Sequence, residues 1–162
     1  MEASTQSTVP AVSDSYGIKV TYSDGTSDAS LPATVSTVLT SSAAATALSP
    51  QTGTSTSTTP TFTWVYPTSP PTNATYQFWI SQPSGGNIWQ IPGNNSQTNG
   101  FTSSQVPMPT GIAWITSGND ILGESNNLPS PSSLSTGTTY NWTIQTMDSN
   151  KNYVQTTVNY DP

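Results

Sequence analysis

The sequence predicts an all-β protein, and three observations support this prediction. Ser and Thr together make up 55 of the 162 residues, with 14 Pro and 11 Gly besides. Thr is β-branched and favours strands, whereas Ser, Gly and Pro mark turns. Several short segments alternate apolar with polar residues, which is the period of a strand that buries one face. We therefore expect short antiparallel strands joined by tight turns.

The second half of the chain contains the clearest strand patterns. Residues 61–66 read TFTWVY and place Phe62, Trp64 and Tyr66 on one face. The pair Gly85-Gly86 supplies the positive φ that a tight turn requires, so the flanking segments predict a hairpin. The predicted strands are 61–66, 76–80, 87–91, 139–147 and 153–160, with two shorter candidates at 101–106 and 112–116 inside the polar stretch 92–134.

The N-terminal part predicts a further hairpin, with arms at residues 16–22 and 31–39 around the turn Ser23-Asp24-Gly25. Its pattern matches that of the last hairpin at an offset of 124 residues, which predicts an internal repeat. The N-terminal hairpin would then be the end of a preceding module in a tandem array. Chance likeness between two simple hairpins is the alternative. The residues that match at this offset are Tyr16 and Tyr140, Ile18 and Trp142, Val20 and Ile144, and Asp24 and Asp148. After the turn, where the loop is one residue longer in the first copy, Leu31 and Val35 match Val154 and Val158.

Composition also divides the chain. Residues 49–60 read SPQTGTSTSTTP and contain none of the apolar residues that a core requires. This composition is typical of a linker or of an extended segment at a sheet edge. We therefore predict an N-terminal hairpin segment at 1–48, a linker or edge segment at 49–60, and a β-sandwich at 61–162.

The scarcity of charged residues excludes much chemistry. The formal net charge is −6, His and Cys are absent, and the only cations are Lys19 and Lys151. Without His or Cys there is no Ser-His-Asp or Cys-His nucleophile, no imidazole or thiolate metal site and no disulfide. Two cations cannot neutralise a run of phosphates, and no apolar run approaches the roughly 20 residues of a membrane span. We expect no cofactor, no metal, no nucleic acid partner and no membrane insertion.

Two acidic segments are candidates for chemistry. Asp120 and Glu124 lie close together in the sequence, but a glycosidase needs carboxyl groups that face each other across a cleft. Residues 148–152 read DSNKN, which approximates the ligand spacing of a calcium loop but lacks its Gly and its distal Glu. Solvated loop acids and a hairpin turn explain these segments better. We therefore predict a protein that is not an enzyme.

Three segments between residues 60 and 160 carry a resemblance to a known family. Residues 60–64 (PTFTW) are similar to the Pro and buried Trp of strand B, and residues 76–80 (YQFWI) to strand C. Residues 134–140 (LSTGTTY) resemble the tyrosine corner, where a Tyr hydroxyl bonds back to the corner backbone. The chain thus resembles the fibronectin type III and immunoglobulin-like modules that repeat in bacterial extracellular proteins.

This resemblance implies an antiparallel β-sandwich with an extra N-terminal β-hairpin, in a protein that is extracellular or on the cell surface. The long stretch 92–134 and the segment 1–48 depart from the family pattern. The resemblance also implies structural roles for Trp64, Leu134, Gly137, Tyr140 and Trp142.

The Trp residues are the candidates for a binding site. Trp64 and Trp142 are in phase with other apolar residues, so we interpret both as core. Trp79 is out of phase with its neighbours in the strand and is the best candidate for an exposed platform, with Trp89 and Trp114 as companions. Packing beneath another segment is the alternative for Trp79.

These observations favour a noncatalytic structural or adhesion module of a secreted or surface-exposed protein, whose partners are neighbouring modules or protomers. One alternative is a carbohydrate-binding module that uses exposed Trp residues and takes a polysaccharide as its partner. The other is a filament or virion assembly unit, in which the N-terminal hairpin adds to the sheet edge of a neighbour.

Overall fold

A computed structural model describes residues 10–93, 100–114 and 132–162 of the chain. The chain divides into two compact units, one up to Val38 and the other from Leu39 onwards. The described residues contain strands and one short 3-10 turn, Ser41–Ala43, and include no α-helix. The prediction of an all-β protein with antiparallel strands is therefore confirmed.

The N-terminal unit is a single irregular hairpin made of four short strands. These are β1 (Ser15–Tyr16), β2 (Lys19–Thr21), β3 (Ser27–Ala29) and β4 (Ala33–Thr34), with β1 paired to β4 and β2 paired to β3. The turn is closed by hydrogen bonds from the Tyr22 amide to the Thr26 carbonyl and from the Gly25 amide to the Tyr22 carbonyl, at 2.8 and 3.0 Å. None of residues 10–38 is buried, so the described part of this unit has no core of its own.

The pairing within this hairpin differs from what the internal repeat predicts. Asp24 lies in the middle of its turn, whereas Asp148 begins the last turn and donates its amide hydrogen to the Asn152 carbonyl. The first turn begins before Asp24, so the hairpin closes earlier than the repeat predicts. Its second arm therefore begins at Ser27 rather than at Leu31. The expected equivalence of Leu31 and Val35 with Val154 and Val158 is wrong, because a likeness in sequence spacing did not extend to strand register.

The C-terminal unit contains six strands that form two sheets. A four-stranded antiparallel sheet has the order β10-β9-β7-β8, and a second sheet pairs β5 with β6. The bridge between Phe62 and Ile112 extends the second sheet by a third segment. The strands are β5 (Thr46–Ser49), β6 (Thr63–Val65), β7 (Thr75–Ser81), β8 (Asn87–Ile91), β9 (Tyr140–Met147) and β10 (Tyr153–Tyr160).

Apolar side chains from both sheets meet in one core, an arrangement compatible with a β-sandwich. Phe62, directly before β6, is central to it, with ring centroids 5.0 Å from Phe78 on β7 and 5.2 Å from Trp142 on β9. The alternation predicted for β7 is confirmed, since Tyr76, Phe78 and Ile80 are all buried. These aromatic contacts between sheets contribute beyond the area they bury, by about 0.5–1.5 kcal/mol per pair.

The predicted domain boundary at residue 48 is wrong by about ten residues. Ala43, Ala45 and Leu48 are buried in the core of the C-terminal unit, and β5 pairs with β6. Of the two alternatives predicted for 49–60, a linker or an edge segment, the structure favours the edge segment, because it is hydrogen-bonded to the rest of the C-terminal unit. For example, the Leu134 amide donates to the Thr58 carbonyl at 2.8 Å. Sequence alone missed these contacts because small residues such as Ala carry little hydropathic signal, and backbone hydrogen bonds carry none.

Only single bridges form where two short strands were predicted inside the polar stretch 92–134. Phe101 bridges Tyr76, and Ile112 bridges Phe62, while residues 115 and 116 lie outside the described residues. In each case a glycine at positive φ precedes the bridging residue, Gly100 at +51° and Gly111 at +66°. These glycines bring the backbone close to the neighbouring strand, which is a use of glycine that side-chain periodicity does not reveal.

Candidate functional site

Three of the residues expected to be structural, Leu134, Gly137 and Tyr140, lie at the entry to β9. The Ser135 amide donates to the Tyr140 hydroxyl oxygen at 2.9 Å, which is the corner hydrogen bond that the sequence predicted. Leu134 and Tyr140 are buried. Gly137 has a φ of +71° and donates its amide hydrogen to the Pro162 carbonyl at 3.2 Å. The corner therefore fixes the loop before β9 against the end of the chain.

Trp64 and Trp142 both lie in the core, as their phase predicted. Their ring centroids are 6.4 Å apart, and both rings also contact Phe78. The indole nitrogen of Trp142 donates to the Pro50 carbonyl at 2.8 Å. A buried indole N–H needs such a partner, and here the edge segment supplies it.

Trp79 lies on the opposite face of the four-stranded sheet and is half-buried. Its cross-strand partners are Gln90 on β8 and Thr143 on β9, while Gln77 precedes it by two residues and pairs with Gln145. In antiparallel sheets, paired residues and residues two apart share a face. The indole is thus surrounded by amide and hydroxyl side chains.

The whole of this outer face is neutral in the part that the structure describes. Its polar side chains make short contacts with one another, such as the Thr143 and Thr157 hydroxyls at 2.7 Å and the Asn87 amide group to Gln90 Oε1 at 3.0 Å. The strand residues of the outer face are Thr75, Gln77, Trp79, Ser81, Asn87, Gln90, Asn141, Thr143, Gln145, Met147, Tyr153, Gln155, Thr157 and Asn159.

Trp89 and Trp114 do not accompany Trp79 on this face. Trp89 is only 1% exposed, and its ring centroid lies 5.3 Å from that of Phe78 and 5.1 Å from that of Trp114. Trp114 is half-buried and packs against the core cluster. The bulge between Ile80 and Ser81 shifts the register of β8, so Trp89 pairs with Ile80 and faces inward. The expectation of an exposed platform that includes Trp89 is therefore wrong.

The glutamines around Trp79 were missed at the sequence level. Gln77, Gln90 and Gln145 are buried although they are polar. Their alternation with core residues was visible, but their grouping around one indole depends on cross-strand register, which no local pattern contains.

Asp148 is the most strongly hydrogen-bonded of the described carboxylates. Burial raises its pKa, but hydrogen bonds from the Asn152 side chain and from the Asn152 and Asn150 amides outweigh this effect, so the pKa lies below its ordinary value. The segment is a hairpin turn, as predicted. Asp120 and Glu124 lie outside the described residues, which include no group of three His, Cys, Asp or Glu side chains able to hold a metal ion.

Two tyrosines at the edge of the core have raised pKa values. Burial raises the pKa of Tyr66, and the neighbouring Tyr76 raises it further. Burial also raises the pKa of Tyr76. The Tyr66 hydroxyl donates to the Val106 carbonyl at 2.8 Å. Both phenols therefore stay protonated at neutral pH.

A polar depression of about 470 Å³ lies beside the end of β10. It is lined by one carboxylate, Asp161, and by neutral residues. The other lining residues are Gln51, Thr52, Thr139, Val158 and Asn159.

Comparison with known proteins finds no family model, no curated protein and no solved structure that matches this chain. No helix within residues 10–93, 100–114 and 132–162 is long and apolar enough to cross a membrane.

Proposed function

We propose that this chain is a noncatalytic structural module of the fibronectin type III or immunoglobulin-like class, in a secreted or surface-exposed protein. The observation that carries the proposal is the corner hydrogen bond between the Ser135 amide and the Tyr140 hydroxyl, at the entry to β9. A Tyr at this place in the sheet order is a hallmark of such sandwiches.

The strand order supports the same proposal. In chain order, β7, β8, β9 and β10 take the places of strands C, C′, F and G, since the sheet runs β10-β9-β7-β8. The second sheet, β5-β6 with the Ile112 bridge, takes the places of A, B and E. Immunoglobulin-like domains divide their strands between two sheets in a comparable way.

Hydrogen bonds join the first and last segments of the C-terminal unit, as a module under tension requires. The Thr156 hydroxyl donates to the Ala45 carbonyl at 2.8 Å, and the Thr52 amide donates to the Asn159 carbonyl at 2.9 Å. The segment from Ala45 to Thr52 thus runs in the same direction as β10. A force that separates the chain ends loads these bonds along the strands, so that they must break together.

Single-molecule stretching of the full chain tests the mechanical role. We expect one discrete unfolding event that releases the residues between Ala45 and Tyr160, at roughly 3.5 Å per residue. Forced unfolding reports the unfolding rate, so Thr156→Val should unfold at lower force because it loses the bond to Ala45. Gln155→Ala, at the adjacent exposed position, is the matched control. Gradual extension without a discrete event would contradict the proposal.

Assembly through the N-terminal hairpin is a second candidate, favoured by one observation. Ile18 and Leu31 are 67% and 92% exposed, and Val12 and Tyr22 are exposed as well. Exposed apolar residues in a unit without a core indicate a surface that another chain could cover. Sedimentation of the full chain should then show self-association that Ile18→Lys abolishes, whereas a monomer at all concentrations would exclude assembly between copies.

A further inference from the structure

We propose that the outer face of the four-stranded sheet binds a neutral polysaccharide, with Trp79 as the surface on which a sugar ring stacks. This activity goes beyond that of a structural module, because it gives the sandwich a ligand of its own. It concerns the face opposite the core, and neither the tyrosine corner nor the tie between the chain ends takes part in it.

Trp79 is a large apolar side chain within a polar face. Its two neighbours in β7, Phe78 and Ile80, face the core, so the indole points away from the core. The core therefore does not require a Trp at this position. A partly exposed indole offers a flat apolar surface, and the C–H face of a sugar ring is the complementary shape.

Exposed amides on the same face as the indole suit sugar hydroxyls. Gln90 and Thr143 lie directly opposite Trp79 on the two neighbouring strands. Both side chains are buried and hydrogen-bonded within the sheet, Gln90 to Asn87 and Thr143 to Thr157, so they hold the indole in place. The groups that can reach a sugar are the exposed amides on the same face, Asn87 on β8 and Gln155 and Asn159 on β10, because a primary amide carries two donors and an acceptor. Four strands at about 4.8 Å spacing make a surface roughly 14 Å wide, which gives an extended chain room to lie across it.

The charge of the face selects among ligand classes. Its described residues include no charged side chain, and the whole chain has a net charge of −6. An anionic polysaccharide would be repelled without gaining an ion pair. A protein partner would require a larger apolar centre than the half-buried Trp79 and the exposed Tyr153 provide, since the fully buried part of a protein interface is mostly apolar. A neutral polysaccharide meets neither obstacle.

Affinity electrophoresis of the full chain tests this inference. Native gels would contain hydroxyethylcellulose, laminarin, xylan or galactomannan, with polygalacturonate as the anionic comparison. We expect at least one neutral polysaccharide to slow the migration of the parent protein. Polygalacturonate should leave its migration unchanged. Trp79→Ala should weaken binding about tenfold or more, because it removes the stacking surface. Tyr22→Ala removes an exposed aromatic residue from the N-terminal unit and should leave binding unchanged.

Trp79→Phe and Gln155→Ala keep the test decisive if Trp79→Ala does not fold. Trp79→Phe keeps a smaller ring and should retain part of the binding, and Gln155→Ala should weaken it a few-fold by removing an exposed amide. Absence of retardation by every neutral polysaccharide, or equal retardation of the parent and the Trp79 variants, would overturn the inference. A dimer of the parent that Trp79→Phe converts to a monomer would instead assign this face to a second copy of the chain.

Discussion

At the scale of single residues, the Tyr140 hydroxyl connects a loop to the sheet. It accepts a hydrogen bond from the Ser135 amide in a buried setting. Tyr140→Phe leaves this amide without its partner, and we expect a loss of about 1 kcal/mol or more in the free energy of unfolding. Tyr153→Phe is the control, because Tyr153 is 61% exposed and should tolerate the same change. Chemical denaturation measures both, and equal stability of the two variants would contradict a structural corner.

Asp148 makes stability depend on pH. Its pKa lies below the ordinary value of 3.8 in the folded protein, so the folded state binds its proton less readily than the unfolded state. The stabilisation is present above that ordinary value and is lost as the pH falls through the folded pKa. We expect Asp148→Asn to flatten the stability profile below about pH 4, where the lowered pKa of Asp148 makes the parent lose stability. Asn152→Ala removes one of the three donors and should flatten it partly. Parallel profiles for the parent and Asp148→Asn, measured by denaturation at each pH, would refute this.

At the scale of elements, Gly100 and Gly111 allow two irregular segments to join the sheets. A Cβ at Gly111 would overlap the Phe62 carbonyl oxygen, and the residue also has positive φ. We therefore expect Gly111→Ala to cost about 3 kcal/mol or more, by strain and by loss of the Ile112 bridge. Gly53 has a similar φ but open space around its Cβ position, so Gly53→Ala should cost only about 1 kcal/mol. Thermal unfolding separates the two costs, and equal effects would show that φ alone decides.

The elements also show how far local patterns reach. The phase of β7 and β9 was predictable because one residue in two faces the core, and the bounds of β10 were predicted correctly. The orientation of Trp89 was not predictable, because it depends on a bulge that shifts β8 against β7. A bulge changes the face of every residue beyond it, and its position is set by pairing rather than by composition.

At the scale of the whole molecule, the division after Val38 predicts which truncations fold. A chain that lacks residues 1–38 should unfold cooperatively with a stability within about 0.5 kcal/mol of the parent. A chain that lacks residues 1–48 loses β5 and the buried side chains Ala45 and Leu48, and should be less stable by about 3 kcal/mol or more. Circular dichroism during heating distinguishes the two truncated chains. Unfolding of the chain that lacks only residues 1–38 would show that the hairpin stabilises the C-terminal unit.

The sequence by itself determined the all-β class, the core positions of most strands and the absence of His and Cys chemistry, because these follow from composition and from the period of two. Tertiary structure decided the boundary near residue 39, the contacts of the edge segment at 49–60 and the ring of amides around Trp79. These features depend on which strands become neighbours and in what register. Strand pairing and register are set by packing between residues far apart in the chain, so a local sequence pattern does not predict them.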